Sequence, residues 1–184
     1  MNSNFAPKIV QGADWLDRIA RFRVKIWSLN DMIDLSLFPE NLCLEDVDHC
    51  ATQLVIEENG ELCAAVRYTQ YSDINNTHLG IYYQESGIAI DGPICIPERL
   101  VVHPDIIRQG VAWKMAKSLA NLAVERGARY SISECSPRIA ALMRKRKDVS
   151  LGFAPDDPRF PGVRFEWMLS DIEIVAKQLA KNSL

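Results

Sequence analysis

The stretch Glu98-Arg-Leu-Val-Val-His-Pro-Asp-Ile-Ile-Arg-Gln-Gly-Val-Ala112 holds a carboxylate, a glycine and the start of an amphipathic segment. It reads as an apolar strand that runs through a short loop into a helix. Gly110 stands in the loop, and small Ala112 opens the helix. Arg108-Gln109-Gly110-Val111-Ala112 therefore presents backbone N–H groups at a helix N-terminus. Those amides lack partners inside the helix, and the helix dipole favours negative charge beside them. Gly110 has no Cβ, so a phosphate can approach the backbone closely. The pattern is neither a Walker loop nor a GxGxxG fingerprint, and an ordinary strand–helix junction is the competing account. Glu98 is the candidate general base. On a regular strand it shares a face with Ile94, Ile96, Leu100 and Val102. A carboxylate among such neighbours loses solvation, which raises its pKa toward values suited to taking a proton from an ammonium group. The competing account pairs Glu98 with Arg67 or Arg99. Glu134 and Cys135 end the following strand; Glu134 is the next candidate base, and Cys135 suits packing better.

The 184 residues suit one domain spanning 1–184, with apolar residues at 48% and charged residues at 24%. That balance buries a full core, and 9 Gly with 9 Pro are too few for a disordered chain. A net charge of −3 argues against nucleic acid as the main partner. No uncharged apolar run approaches the roughly 18 residues of a membrane span. Met1–Lys8 lacks the basic and apolar blocks of a secretion signal, so a cytoplasmic location is expected. Cys43, Cys50, Cys63, Cys95 and Cys135 are odd in number, widely spaced and without a CxxC pair, which points to reduced thiols rather than disulfides. His49, His78 and His103 show no metal-ligand spacing, so no metal is expected.

The elements that must position these residues form a mixed α/β pattern. Lys8–Gln11 suits a short strand. Asp14 caps a helix whose Trp15, Ile19, Phe22 and Ile26 share one face. Leu29–Asp48 is irregular and acidic. Gln53–Glu57 and Leu62–Tyr71 flank Asn59-Gly60, a strong hairpin signal. Thr77–Tyr83 suits another strand, and Ile94–Val102 is a clear one, with Pro97 marking a bulge or edge. Ala112, Met115, Ala116, Leu119, Leu122 and Ala123 form the apolar face of a helix that Gly127 closes. Arg129–Cys135 is a strand and Pro137–Lys147 a short helix. Val163–Leu169 alternates as a half-buried strand. Ser170-Asp-Ile-Glu173 is a capping box opening a C-terminal helix over 170–182.

At this point the sequence resembles the GCN5-related N-acetyltransferase (GNAT) superfamily. That family's loop reads Arg/Gln-x-x-Gly-x-Gly/Ala after a strand. Here Leu100-Val-Val-His-Pro104 precedes Ile107-Arg-Gln-Gly110-Val-Ala112. The match lies in Gly110 and Ala112, whereas Ile107 stands where the family prefers Arg or Gln. Leu151-Gly152-Phe153 is similar to the family's closing turn. The resemblance is good from Leu54 to Phe153, and the element order fits nearly the whole chain. It implies a three-layer α/β fold whose mixed sheet splays between Ile94–Val102 and Arg129–Cys135, flanked by helices. It implies that Arg108, Gln109, Gly110, Val111, Ala112 and Trp113 cradle the pyrophosphate of coenzyme A. It also implies that Leu100, Val101 and Val102 pair with the pantetheine arm. The family base usually lies two residues before Glu98, at Ile96. The tyrosine that protonates the leaving thiolate aligns with Met143, so Tyr130, Tyr71 or water takes that part, or none is needed. Arg144-Lys-Arg-Lys147 is an addition, read as a solvated helix end or as a docking patch for phosphates or an acidic carrier protein.

The N-terminal half resembles the acyl-homoserine-lactone synthases and N-acyl amino acid synthases. The residues are Phe22-Arg-Val-Lys-Ile-Trp27, Glu45-Asp-Val-Asp48 and Ala65-Val-Arg67, with Ala64 in place of the synthases' glycine. Core packing by Phe22 and Trp27 plus a solvated acidic loop is the competing account. The expected activity is therefore transfer of an acetyl or other acyl group from acyl-coenzyme A to an amine, by direct attack. An acyl-carrier-protein-dependent synthase and a non-catalytic acyl-coenzyme A sensor are the alternatives. The expected partners are acetyl-CoA or another acyl-CoA as co-substrate, a small-molecule or peptide amine, and a second copy of the chain in a homodimer.

Overall fold

The computed structural model describes residues 5–77, 79–80, 83 and 86–181. A short strand β1 (Lys8–Val10) leads through Gly12 into helix α1 (Ala13–Leu29). Gly12, not Asp14, is the N-cap, at φ 104°, a left-handed value that favours glycine. Asp14 instead lies in the first turn, where its charge complements the helix dipole. Ile19, Phe22 and Ile26 are buried, as their spacing predicts. The stretch after α1 forms three short 3₁₀ turns, Leu35–Leu37, Pro39–Asn41 and Asp46–His49.

Strands β2 (Thr52–Glu58) and β3 (Glu61–Tyr71) form the expected hairpin. Asn59 at φ 53° and Gly60 at φ 85° supply the left-handed pair that a two-residue turn requires. Strand β4 (Ile94–Val102) passes through a 3₁₀ turn, Pro104–Gln109, into α2 (Val111–Glu125). Gly127 at φ 72° and the bond from Ala128 N–H to Ala123 O close α2. Then follow β5 (Tyr130–Cys135), α3 (Pro137–Lys145), β6 (Val149–Phe153), β7 (Glu166–Asp171) and α4 (Ile172–Lys181). The sheet has seven strands in the order β1-β2-β3-β4-β5-β7-β6, and helices flank it. It is mixed, because β4 and β5 are parallel while β1/β2, β2/β3, β5/β7 and β6/β7 are antiparallel. The parallel register joins Ile94 to Tyr130 and Cys95 to Ser131, and among the described residues it stops there, as the expected splay requires.

Three local expectations are corrected. Gly80 and Tyr83 are helical rather than extended, and Tyr83 N–H bonds Leu79 O at 3.0 Å. Thr77 Oγ1 accepts Leu79 N–H at 3.1 Å, so this threonine starts a turn instead of a strand. His78, Ile81 and Tyr82 of that stretch lie outside the described residues. Strand β7 begins at Glu166, three residues later than the alternation suggests, and Glu166–Ser170 are all buried. It pairs with β5 and β6 as an interior strand, so both faces are covered and alternation loses its meaning. Ser170 belongs to this strand; Asp171 Oδ1 accepts Ile174 N–H at 3.1 Å and takes over the cap of α4.

The chain divides into two compact units. One gathers Glu98–Ser118 and Asp157–Pro161 with the chain up to Tyr68. Its core includes Ile19, Phe22, Val55, Ile56 and an aromatic group of Trp27, Phe38 and Phe160. The other comprises Thr69–Pro97, Leu119–Asp156 and the chain from Gly162 onward. Ile74, Leu79, Ile94, Ile96, Ile132 and Trp167 pack in its main cluster, and Cys135, Ala140, Met143 and Met168 in a second. No helix among the described residues is long and apolar enough to cross a membrane.

Candidate active site

Strand β4 carries Glu98 but is not regular. Arg99 adopts φ 55°, a left-handed value rare for a side chain with a Cβ. This is the irregularity that Pro97 signals, displaced by two residues. It breaks the alternation, so that Leu100 is exposed and Val101 buried. Glu98 therefore does not share an apolar face with Leu100. Its Oε2 instead accepts Arg67 Nη2 at 2.9 Å, and its side chain is nearly buried. This is the pairing with Arg67 that the account competing with a base role anticipates.

Arg67 leads into a network of buried charges. Its Nη1 donates to Glu45 Oε2 at 2.7 Å and lies 3.3 Å from Asp48 Oδ1. Asp48 takes both ends of Arg23, from Nη1 at 2.8 Å and Nη2 at 2.9 Å, and both side chains are 1% exposed. Gln53 Nε2 donates to Asp48 Oδ1 at 3.0 Å, and Glu45 N–H donates to Asp48 Oδ2 at 2.9 Å. Glu45 then gathers two more guanidinium groups. Arg99 grips it with one edge of its guanidinium, Nη2–Oε1 at 2.8 Å and Nε–Oε2 at 3.1 Å, and Arg159 Nη1 bonds Oε1 at 3.0 Å. Among the described residues four arginines thus face the four carboxylates of Glu45, Asp48, Glu98 and Asp157. Of the acidic run Glu45–Asp48, Glu45 and Asp48 are drawn into this network, while Asp46 is exposed.

Electrostatics follow from the geometry. Burial alone would push the Glu45 carboxyl up, but Arg99 and Arg67 hold it well below the usual carboxylate range. Asp48 is likewise lowered, burial being outweighed by the bonds and charge of Arg23. Charge-assisted, bidentate pairs of this kind fix side-chain positions closely. Arg23 Nε and Arg67 Nε are buried without an acceptor among the described residues.

The expected anion loop lies in the same unit. Gly110 is left-handed at φ 75°, and a Cβ built there meets nothing within 4 Å. Lys114 N–H bonds Gly110 O at 3.0 Å, so Val111, Ala112 and Trp113 carry the leading amides of α2. Arg108, Gln109 and Trp113 are exposed, and Val111 is buried. His103 Nδ1 accepts Asp105 N–H at 3.4 Å, and His103 N–H bonds Cys63 O at 2.9 Å, which anchors the turn between β4 and α2.

Other candidates sit elsewhere. Met143 is buried, 3.2 Å from Cys135 Sγ. Burial pushes the Cys135 thiol up to about 12, which makes it an inert packing group. Tyr71 and Tyr130 pack against the main core cluster of their unit. In the basic run, Arg144 pairs with Glu166 and Arg146 with Asp148, while Lys145 and Lys147 are exposed. All five cysteines are free thiols. Among the described residues no group of histidine, cysteine and carboxylate side chains could hold a metal ion.

Sequence reasoning missed Asp157, Arg159 and Gln53 as partners in the network, and weighed Arg99 as a partner of Glu98 and not of Glu45. Only the left-handed backbone at Arg99 and a contact spanning 114 residues bring Arg99 and Arg159 to Glu45. The short spacing of Asp157 and Arg159 was the available signal.

The fold is shared with several solved structures. A CoA-dependent acyl-homoserine lactone synthase, BjaI, solved with SAM and isopentyl-CoA, superposes with TM-score 0.69 at 13% identity, covering 92% of this chain and 82% of that one. FeeM, an N-acyl amino acid synthase from uncultured soil microbes, gives 0.64 at 12% identity, covering 97% and 98%. The acyl-homoserine-lactone synthase LasI gives 0.66 at 11% identity, covering 94% of each chain. No curated protein sequence matches the chain. The sequence model of the acetyltransferase (GNAT) family matches residues 14–143, which include α1, the hairpin, β4, the Gly110 loop and α2. With that match over most of its length, the chain belongs to the GNAT family of acetyltransferases.

Proposed function

We propose that the protein transfers an acyl group from the thioester of an acyl-coenzyme A to an amine, with Glu98 as general base. The amine nitrogen attacks the thioester carbonyl carbon. The C–N bond forms, the C–S bond breaks, and its electron pair leaves with sulfur. Glu98 takes the proton that the ammonium nitrogen sheds, and the thiolate is protonated to the free thiol. Amides of Val111, Ala112 and Trp113 and the exposed Arg108 and Gln109 bind the pyrophosphate, and Leu100–Val102 line the pantetheine arm. The single observation that supports this most is the β4–α2 junction, where left-handed Gly110, with open space in place of a Cβ, precedes the leading amides of α2. Glu98 lies on the strand that enters this junction, and its ion pair with Arg67 serves a structural carboxylate as well as a base, two roles that Glu98→Gln separates. Family membership supplies the acyl-transfer chemistry. Acetyl is the simplest acyl group for this site.

A second reading is favoured by the set of buried Arg23, Asp48 and Arg67 with half-buried Glu45, built from the N-terminal residues that resemble the synthases. On that reading the acceptor is a small amino-acid-like amine, and the donor carries a longer chain on coenzyme A or on an acyl carrier protein. The test is direct. The purified protein is given acetyl-CoA, long-chain acyl-CoA and acyl carrier protein in turn, with amino acids, S-adenosylmethionine and simple amines, and products are identified by mass spectrometry. An acylated amine supports acyl transfer, and its donor selects between the two readings. Tight acyl-CoA binding without any product identifies a sensor.

A further inference from the structure

The segment Asp157–Pro161 belongs to the compact unit that holds Glu98, although the residues on either side of it do not. It is fastened there at three points. Asp34 N–H bonds Arg159 O at 3.0 Å. The Phe160 ring packs edge-on against Trp27 with centroids 5.0 Å apart, and lies near Phe38. Arg159 Nη1 bonds Glu45 Oε1 at 3.0 Å.

Arg159 is itself held from behind. Asp157 receives Nη2 at 2.7 Å and Nε at 3.0 and 3.1 Å, and also accepts the Arg159 backbone N–H at 2.9 Å. The guanidinium is therefore aimed before it meets Glu45. Glu45 passes the constraint to Arg67, and Arg67 passes it to Glu98. We infer that Arg159 is a positioning residue for acyl transfer, which fixes the placement of Glu98 through Glu45 and Arg67. This inference rests on the reading of Glu98 as the base. Arg159 is 30% exposed at its side chain, and its guanidinium lies 6.0 Å from the Phe160 ring centroid, at the rim of the aromatic group.

The test uses Arg159→Gln, Glu45→Gln and the double variant, each checked for folding by circular dichroism. The expected loss in kcat for Arg159→Gln is about tenfold, since small misplacements of reacting groups cost that much or more. The KM for the acyl donor stays unchanged. The loss disappears in the Glu45→Gln background, because Arg159 then has no carboxylate to act through. A second readout needs no activity: the side-chain Nε resonance of Arg67, assigned with Arg67→Lys, moves in Arg159→Gln. If the loss is equal in both backgrounds, or the Arg67 resonance stays in place, the inference is overturned. A wild-type protein without turnover on any thioester sinks the acyl-transfer reading instead, and the Arg67 resonance still decides whether Arg159 positions it. Should Arg159→Gln misfold, Asp157→Asn releases the same guanidinium without removing it and must shift the same resonance; no shift overturns the inference.

Discussion

Glu45 accepts from three guanidinium groups, Asp48 from Arg23, and Asp157 from Arg159. All three carboxyls have folded pKa values below their ordinary ones. A depressed folded pKa contributes stability that is fully present above the unfolded value and is lost as pH falls through the folded one. The unfolded values are 4.5 for Glu45 and 3.8 for Asp48 and Asp157. The melting temperature is therefore expected to be flat from about pH 8 to about pH 5 and to fall steeply below about pH 4. A Tm that keeps rising toward pH 3 contradicts the charge network. Asp48→Asn leaves Arg23 buried with a neutral partner and is expected to cost about 3–5 kcal/mol in denaturant unfolding, the usual penalty for breaking a buried pair. Glu98→Gln keeps the shape and removes the proton acceptor, so turnover should fall by about 10²–10⁴ with coenzyme affinity intact. Turnover within a few-fold of wild type would make Glu98 structural. Thiol chemistry separates just as sharply. Cys50 is exposed and the other four cysteines are buried. Iodoacetamide at pH 8 should alkylate Cys50 in the folded protein, leaving Cys135 untouched until denaturant is added.

Among the elements, the β4–α2 junction is the one proposed to bind the coenzyme. Gly110 has φ 75° with open space where a Cβ would stand. Gly110→Ala thus meets backbone strain without a clash, and about 1 kcal/mol of stability should be lost. Gly110→Asp adds a negative charge as well, and coenzyme A affinity should weaken by about 2 kcal/mol in calorimetry, beyond the loss in Gly110→Ala. Equal affinities in the two variants would remove the pyrophosphate from this loop. The same element shows what the sequence could and could not carry. Helices α1 and α2, the Asn59-Gly60 hairpin and β4 were legible, because periodicity, turn chemistry and apolar runs are local properties. The edges of β7 and the cap of α4 were not. Burial on both faces removes alternation there, and Ser170, still within the strand, reads as a helix cap. The helical turn at Gly80 and Tyr83 was misread because Thr77 serves equally as a strand former and as a turn starter. At the site, Glu98, Arg67 and the Gly110 loop were within reach of pattern. The partner that each arginine selects was not, since Arg99 reverses its backbone and Arg159 comes from the far end of the chain.

For the whole molecule the open choice is the donor. A docking face for an acidic carrier protein should be basic and sensitive to salt, since exposed charges are screened over ~10 Å at 0.1 M. In the run 144–147, Arg144 and Arg146 neutralise Glu166 and Asp148, so replacing them would strand two carboxylates. The cleaner variant is Lys145→Gln with Lys147→Asn, asparagine being suited to the left-handed φ of 73° at that position. With acetyl-CoA as donor, turnover in this variant should change less than about twofold, as surface substitutions usually do. Use of a long-chain acyl carrier protein alone, with rates that collapse in the variant and fall with salt, would establish the synthase reading. The strap that carries Arg159 has a further consequence in the order of synthesis. Glu45, Arg67 and Arg99 all leave the ribosome well before residue 159, and chains emerge at roughly 5–20 residues per second. For several seconds the growing chain holds Glu45 with one cation fewer and Trp27 without the Phe160 ring. Ribosome-bound chains stalled just before Asp157 should be cut readily by protease in the 31–44 loop. Chains stalled late enough to expose Pro161 should resist.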